Sequence, residues 1–437
     1  MSSAAGWPRY LYSAVLYVLL PFIVLRLLLR SGRAPAYRRR LAERLGLFAV
    51  DRDQPVGAGE DGPIWVHAVS VGEVLAAEPM IEALLHFYPQ SRLVVTTMTP
   101  TGSERVRALF GARVFHVYLP WDLPGAVRRF LSRVGPRLLL IMETELWPNL
   151  LHYSAAAGCG IVLVNGRLSE RSARGYARLG GLTRQMLACV DQFACQSAAD
   201  ARRFAQLGVA QESIQVTGNL KFDRQPDAQC RQQAAQLRQS YGADSRPVVL
   251  AASTHDGEET QILKAFEIVR QSLGDCLLLL APRHPERFSE VSRLAAAAGW
   301  QVVRLSRDES PTAADDIVIC DTMGDLAVLF SVAWVAVLGG SLVKHGGHNP
   351  LEAVVWGVPV LTGPHTFNFS AICTALLDAG AMETVEDASS LADSLLRLLT
   401  NTEQRRAMGE AGSGVMQANR GALGRVLGLV DQALARA

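Results

Sequence analysis

The chain has 437 residues, 43 Lys+Arg against 41 Asp+Glu for a formal net charge of +2, 49% hydrophobic residues and 19% charged ones. It is too long for one small domain and too apolar, with no low-complexity stretch, to be disordered, and the near-zero balance argues against a nucleic-acid partner. The average conceals a division: residues 1–50 hold eight arginines against one acid, Glu43, or +7, which leaves 35 bases and 40 acids, or −5, for the rest.

Leu11 to Leu29 is an apolar run broken only by Ser13, Pro21 and Arg26 among aliphatic, aromatic and tyrosine side chains. As a helix it reaches roughly 28 Å, close to the hydrocarbon thickness of a bilayer. Only Arg9 precedes it, whereas arginines 30, 33, 38, 39, 40 and 44 follow. That order is wrong for a cleavable signal peptide, and by the positive-inside bias it keeps the body on the cytoplasmic side of the inner membrane. A helix spanning the bilayer and a helix lying in its plane both fit the run; a buried helix of the body is a third reading. The arginine cluster also suits a clamp on anionic lipid. Residues 1–50 are therefore assigned as membrane anchor and basic juxtamembrane segment. Seven cysteines without a Cys-x-x-Cys pair point to reduced thiols and give no structural zinc site.

From Ile64 onward, short β-rich runs alternate with helical stretches. In the first half strands are expected at 64–67, 93–97, 113–116, 138–141, 161–165, 192–195 and 214–216, with helices such as 74–87 and 198–207. In the second half they are expected at 248–252, 277–281, 301–304, 317–320, 335–338 and 358–361. Continuous apolar strands separated by helices mean parallel sheets covered on both faces. The polar, glutamine-rich stretch 222–245 reads as linker and lead-in helix. The assignment is two doubly wound, Rossmann-like α/β domains, 51–225 and 226–437, facing one cleft. Ligands of such sheets sit beyond the carboxyl ends of the strands, so the residues just after each strand carry the information.

After the first strand come Ser70 and Glu73, three apart, which fits a capping box and equally fits a carboxylate placed as general base. After the fourth, Glu143 and Glu145 precede Trp147-Pro148-Asn149; one acid can cap the helix, but two exceed what a turn needs. Gly218–Asp223 closes the first half with Lys221, one of only three lysines in an arginine-biased chain (the others are Lys264 and Lys344).

In the second half, Pro282-Arg283-His284-Pro285 follows a strand, and Arg283 can grip a phosphate with its planar fork. Thr322-Met323-Gly324-Asp325 has a cap-like pattern whose backbone amides can meet an anion or a base edge. Gly339-Gly340-Ser341 lets the backbone approach a ligand closely. Asn349, Pro350, Leu351 and Glu352 then read as the start of a helix whose amino end favours an anion, with Glu352 fitted to cap or to accept from ribose hydroxyls. His345-x-x-His348 lacks a third metal ligand nearby. No Gly-x-Gly-x-x-Gly follows a strand and no P-loop is present. The only Asp-x-Asp, Asp51-x-Asp53, precedes the first strand, a poor place for a metal–nucleotide site. A metal-free anion site using helix ends and Arg283 remains.

The motifs HAVSVGE (67–73), ETELWPN (143–149), GNLKFD (218–223), PRHPERF (282–288) and GGSLVKHGGHNPLE (339–352), in this order behind an amino-terminal anchor, closely resemble the Kdo (3-deoxy-D-manno-octulosonic acid) transferases of lipopolysaccharide synthesis. The resemblance covers essentially the whole chain. It implies a GT-B glycosyltransferase that needs no cofactor and transfers Kdo with inversion from CMP-Kdo to the phosphorylated, acylated lipid A precursor (lipid IVA). It also implies that Glu73 is the general base and that Glu143 and Lys221 stabilise the transition state. CMP contacts would fall on Arg283, His284, Met323, Gly324, Asp325, Gly340, Ser341, Asn349, Pro350, Leu351 and Glu352. One departure stands out: many relatives have glutamate where this chain has Asp325, so the resemblance implies a backbone contact there. It also gives the anchor a reason, because a lipid acceptor holds its enzyme at the membrane surface. The alternative is another GT-B glycosyltransferase using a different nucleotide sugar.

Overall fold

The computed structural model of the chain describes residues 7–33, 35–49, 62–226, 228–307, 311–312 and 314–436. Asp51 and Asp53 lie outside the described residues. Two units divide the chain: Met1–Arg224 together with Asn419–Ala437, and Gln225–Ala418 between them.

The first unit is built on β1 (Ile64–His67), β2 (Leu93–Thr97), β3 (Phe115–Tyr118), β4 (Leu138–Met142), β5 (Gly160–Gly166), β6 (Gln192–Cys195) and β7 (Ile214–Val216). They form one sheet in the order β3-β2-β1-β4-β5-β6-β7, with every pairing parallel. Chain direction across the sheet reverses between β1 and β4, which pair from Ile64↔Leu138 to His67↔Ile141. Successive side chains alternate faces, so both faces of each central strand are buried. On one face Ile64, Val66, Leu138 and Leu140 pack with the helix Val71–Phe87. On the other, Trp65, Leu139 and Ile141 pack with Phe130, Phe193 and Phe204.

The third strand begins at Phe115 rather than at 113. Gly111–Arg113 instead forms a tight turn that continues the preceding helix, with Arg113 tied at the surface to Glu82 at 2.7 Å. The carboxyl-terminal helix (Ala422–Leu434), assigned from sequence to the second domain, belongs to the first unit. Its Ala422, Val426, Leu429, Val430 and Ala433 complete the core under β5 and β6, and the Asp223 carboxylate accepts from the amides of Gly421 (2.7 Å) and Leu423 (2.6 Å) at its start. Asp223 thus pins the returning end of the chain, a long-range pairing that local pattern does not reveal.

The second unit carries β8 (Val248–Thr254), β9 (Leu277–Pro282), β10 (Val302–Arg304), β11 (Ile317–Ile319), β12 (Val335–Leu338), β13 (Val360–Thr362) and β14 (Met382–Thr384), again all parallel, in the order β10-β11-β9-β8-β12-β13-β14. The reversal lies between β8 and β12. β14 is an unanticipated edge strand whose three residues carry one apolar side chain, too little signal to read.

The amino-terminal helix runs from Trp7 to Arg33. Trp7–Leu29 has a mean hydropathy of 2.2 and is scarcely buried, which by length and composition suits a membrane anchor. Arg40 and Arg44 do not face outward as Arg26, Arg38 and Arg39 do. Arg40 donates to Ser103 Oγ and His116 O, both at 3.0 Å, and buried Arg44 donates to Met98 O at 2.8 Å. These two are retained inside the unit because the edge strand β3 and the end of β2 leave carbonyls that a guanidinium can satisfy.

Candidate active site

In the first unit, Glu73 sits in the first turn of the helix Val71–Phe87, directly after β1. The capping box foreseen there forms only in part. Ser70 accepts no amide; instead its hydroxyl donates to Glu73 Oε1 at 3.1 Å, and Val69 N donates to Glu73 Oε2 at 2.7 Å. The carboxylate is 8% exposed. Burial pushes its pKa up from 4.5 to about 8, against the pull of the Val69 amide, and the negative charges of Glu145 and Glu143 push the same way. A carboxyl group so placed holds a proton near neutral pH and, once ionised, is a stronger base toward a hydroxyl than an ordinary carboxylate.

Glu143 follows β4, the neighbour of β1, so both acids leave the same edge of the sheet. Its backbone takes a left-handed conformation (φ +55°) that a non-glycine residue adopts at a cost. Its amide still donates to Val164 O at 2.9 Å, which turns the side chain off the strand end. There it meets Lys221 Nζ at 3.2 Å, both side chains being partly buried. The turn Leu220–Asp223 that carries Lys221 is fixed by buried Asn165, whose Oδ1 accepts from Leu220 N at 3.1 Å, and by Asn219, whose Oδ1 accepts from Lys221 N at 3.0 Å. The second acid, Glu145, is held by Trp147 Nε1 at 3.2 Å, and burial raises its pKa. The structure therefore brings Glu73, Glu143, Glu145 and Lys221 to one end of one sheet.

Sequence reasoning missed the groups behind this loop. Asp122, fully inside, accepts from the amides of Asn149 (3.0 Å) and Leu150 (2.7 Å) and so caps the helix Pro148–Ala156 that follows Glu145. Asn149 Nδ2 returns a bond to Asp122 O at 2.7 Å. A lone Asp before a Leu-Pro helix start gives no local sign of this role.

In the second unit, residues after β8, β9 and β12 converge. His255, after β8, stacks on His345 with ring centroids 4.2 Å apart, faces His284 edge-on at 5.4 Å, and its Nε2 lies 3.1 Å from Nε2 of His348. Arg283 is close enough for its charge to help hold His348 neutral: burial first, then Arg283, lowers that imidazole to about 3. Burial, then His345 and His284, lowers His255 to about 4. Around one strand-end region the Arg283 guanidinium thus supplies positive charge, while the neutral His255 and His348 can offer ring N–H donors, a set able to meet an anionic group. Among the described residues no three His, Cys, Asp or Glu side chains gather as metal ligands.

The glycine turn after β12 serves this site indirectly. A Cβ on Gly339 would stand 2.3 Å from Ser253 O, so only glycine permits the turn to pass β8. The amides of Gly340 (2.7 Å), Ser341 (3.0 Å) and Leu342 (2.9 Å) all donate to the wholly buried carboxylate of Glu258, which also accepts from His255 N at 2.8 Å. The Ser341 hydroxyl bonds Leu338 O and accepts from Gly363 N at 2.7 Å. Gly340 and Ser341 thus shape the loop, with these groups already engaged within the unit. Glu258 was overlooked because an acid in the first turn of a helix looks like ordinary dipole compensation. The expected helix at 350 is a single turn, Leu351–Val354, headed by Asn349 Oδ1 accepting from Leu351 N at 3.2 Å. A single turn carries little macrodipole, which weakens the anion reading of its amino end. Glu352 is half-buried, while Met323, Gly324 and Asp325 form an exposed turn after β11, with Gly324 at φ +108°.

Residues 39–224 match the family described as 3-deoxy-D-manno-octulosonic-acid transferase (kdotransferase), and residues 315–414 match glycosyl transferases group 1. The 3-deoxy-D-manno-octulosonic acid transferase of Haemophilus influenzae is 41% identical over 429 residues, 98% of this chain and 99% of that one. The enzyme of the same name from Bordetella pertussis is 38% identical over 97% of this chain and 99% of its own length. At the level of fold, UDP-GlcNAc 2-epimerase from Neisseria meningitidis superposes with a TM-score of 0.58 at 13% identity, covering 86% of this chain and all of that one. Two parallel seven-stranded α/β sheets of GT-B-like fold, with strand-end acids in one unit and arginine- and histidine-bearing loops in the other, accompany a full-length likeness; this chain belongs to the 3-deoxy-D-manno-octulosonic acid transferase family of glycosyltransferases.

Proposed function

We propose that the chain transfers Kdo from CMP-Kdo to the phosphorylated glucosamine disaccharide of the lipid A precursor, with inversion and without a metal ion, at the cytoplasmic face of the inner membrane. The observation that carries the reading is the Glu73 carboxyl, buried at the end of β1 with its pKa raised to about 8. The acceptor hydroxyl oxygen attacks the anomeric carbon of Kdo, and its proton passes to Glu73. The bond from that carbon to the phosphate oxygen breaks, and CMP leaves with the electron pair. Inversion follows from a single displacement, since no second nucleophile is required.

Lys221 offsets the negative charge of the Kdo carboxylate or the departing cytidylate. Its pairing with Glu143 gives that acid a role in aiming the ammonium, which otherwise has freedom along four methylenes. Arg283 and His284 take the phosphate of CMP. Met323, Gly324 and Asp325 offer backbone groups, and Asn349, Pro350, Leu351 and Glu352 approach the ribose and base, with Gly340 and Ser341 holding the loop. The anionic lipid surface and the outward arginines keep the enzyme beside its acceptor.

The test is transfer by the purified chain with CMP-Kdo and defined acceptor, read as CMP release and product mass. Activity is expected to rise with pH as Glu73 ionises, with a midpoint near 8. A folded protein inert with this pair would overturn the assignment.

A further inference from the structure

Both flanks of the apolar amino-terminal helix are fastened to the same folded unit. At its start, buried Arg9 donates to Asn149 Oδ1 (3.2 Å) and Tyr153 OH (3.3 Å). Asn149 Nδ2 donates to Ser13 Oγ at 3.0 Å, and the Tyr12 hydroxyl bonds the carboxylate of Asp122. In its last turn Ser31 is buried against Arg38, and beyond its end Arg40 reaches Ser103 and His116, and the carbonyl of Arg44 accepts from Trp121 N at 2.8 Å. Tyr12 and Arg44 are thus held by consecutive residues, Asp122 and Trp121, although the rest of the helix, to Arg33, lies between them.

A helix that crosses a bilayer once leaves its ends on opposite sides, separated by about 30 Å of hydrocarbon. That arrangement is incompatible with two ends gripped by one folded unit on one side. The exposure pattern agrees. Trp7, Leu11, Val18, Phe22, Leu25 and Leu29, spaced by three, four or seven residues, form one stripe, from 53% to 71% exposed. Arg9, Ser13, Leu20, Leu27 and Ser31 lie on the opposite side and are less exposed. Arg26, exposed on a flank between the two stripes, is placed for its guanidinium to reach head groups.

We infer that this helix does not span the membrane but lies in the plane of one leaflet, its Trp7–Leu29 stripe among the acyl chains and its two ends on the side of the catalytic units. The occupant of the exposed stripe is lipid, as the mean hydropathy of 2.2 and the neighbouring exposed arginines at 38 and 39 require. The inference rests on reading this helix as the membrane anchor.

The test places a protease-cleavable tag at each terminus of the full chain, in spheroplasts and in inside-out vesicles. The carboxyl terminus lies in the same unit as Asp122 and therefore reports the side of the body. Removal of both tags from one preparation, and of neither from the other, is expected. Removal of the amino-terminal tag from one side and the carboxyl-terminal tag from the other means a single crossing; it overturns the in-plane arrangement and leaves the anchor intact. Recovery of the chain in the soluble fraction overturns the anchor reading itself, and this inference with it.

Discussion

Replacing Glu73 with glutamine separates catalysis from stability, and the structure gives both signs. The folded carboxyl titrates near 8 and the unfolded one near 4.5, mainly because the group is buried. A folded-state value above the unfolded one means that its stabilising contribution is whole below about pH 4.5. It drains by about 1.4 kcal/mol per pH unit until the folded group ionises near 8. At pH 7 the wild type has therefore given up roughly 3 kcal/mol in the first unit. Glutamine keeps the shape of the neutral acid and an oxygen for the Val69 amide, so this pH dependence disappears. Hydrogen exchange along Val71–Phe87 reads the local stability of that unit without interference from the other. Near pH 5 the two proteins should protect this helix alike; near pH 7.5 the variant should be the more stable by about 2–4 kcal/mol. Transfer by the variant should fall by about 10²–10⁴ while CMP-Kdo still binds. Equal stability of the two proteins at both pH values would refute the buried-acid argument, and near-normal turnover would return Glu73 to a structural role.

Lys221→Met should lower kcat by about 10²–10³ with little change in donor affinity, because it removes charge stabilisation and leaves Glu143 without its cation; isothermal titration and turnover together check this. Glu258→Ala leaves four backbone amides without their acceptor, so the second unit should lose about 3–5 kcal/mol and CMP should bind at least tenfold more weakly, read by denaturant melting and calorimetry. Burial lowers His67 and His116 to about 4, so each contributes stability that is whole above about pH 6.5 and is lost toward pH 4, by roughly 3 kcal/mol at most; denaturant titration should show acid destabilisation, relieved at that site in His116→Gln. Transfer should persist in excess chelator, and loss rescued by magnesium would overturn the metal-free route.

The strands were legible because parallel sheets buried on both faces produce unbroken apolar runs: β4 is Leu-Leu-Leu-Ile-Met, with every residue buried. Glu73, Glu143, Lys221 and Arg283 could be singled out because doubly wound sheets gather chemistry at strand ends. Glu258 and Asp122 were not legible, since each acts on backbone amides 82–84 and 27–28 residues away, and nothing local marks a carboxylate for so remote a partner. Nor did composition show that Arg40 and Arg44 turn inward from a cluster whose other members suit a lipid surface. Charge counting treats arginines alike, whereas unsatisfied carbonyls at a sheet edge and a strand end do not.

The return of the last helix to the first unit affects how the chain emerges from the ribosome. The sheet that bears Glu73 lacks part of its core until Ala422–Leu434 is synthesised, whereas Gln225–Ala418 is by then complete. At roughly 5–20 residues per second, the first unit, once its segment to Arg224 is made, waits about 10–40 s for its final helix. The second unit is contiguous and can fold during that interval as an insert within its host. A nascent chain stalled before residue 419 would expose the apolar floor beneath β5 and β6 to chaperones. Glu73, the buried acid after β1, is thus among the first residues made, in a unit that is among the last to be completed.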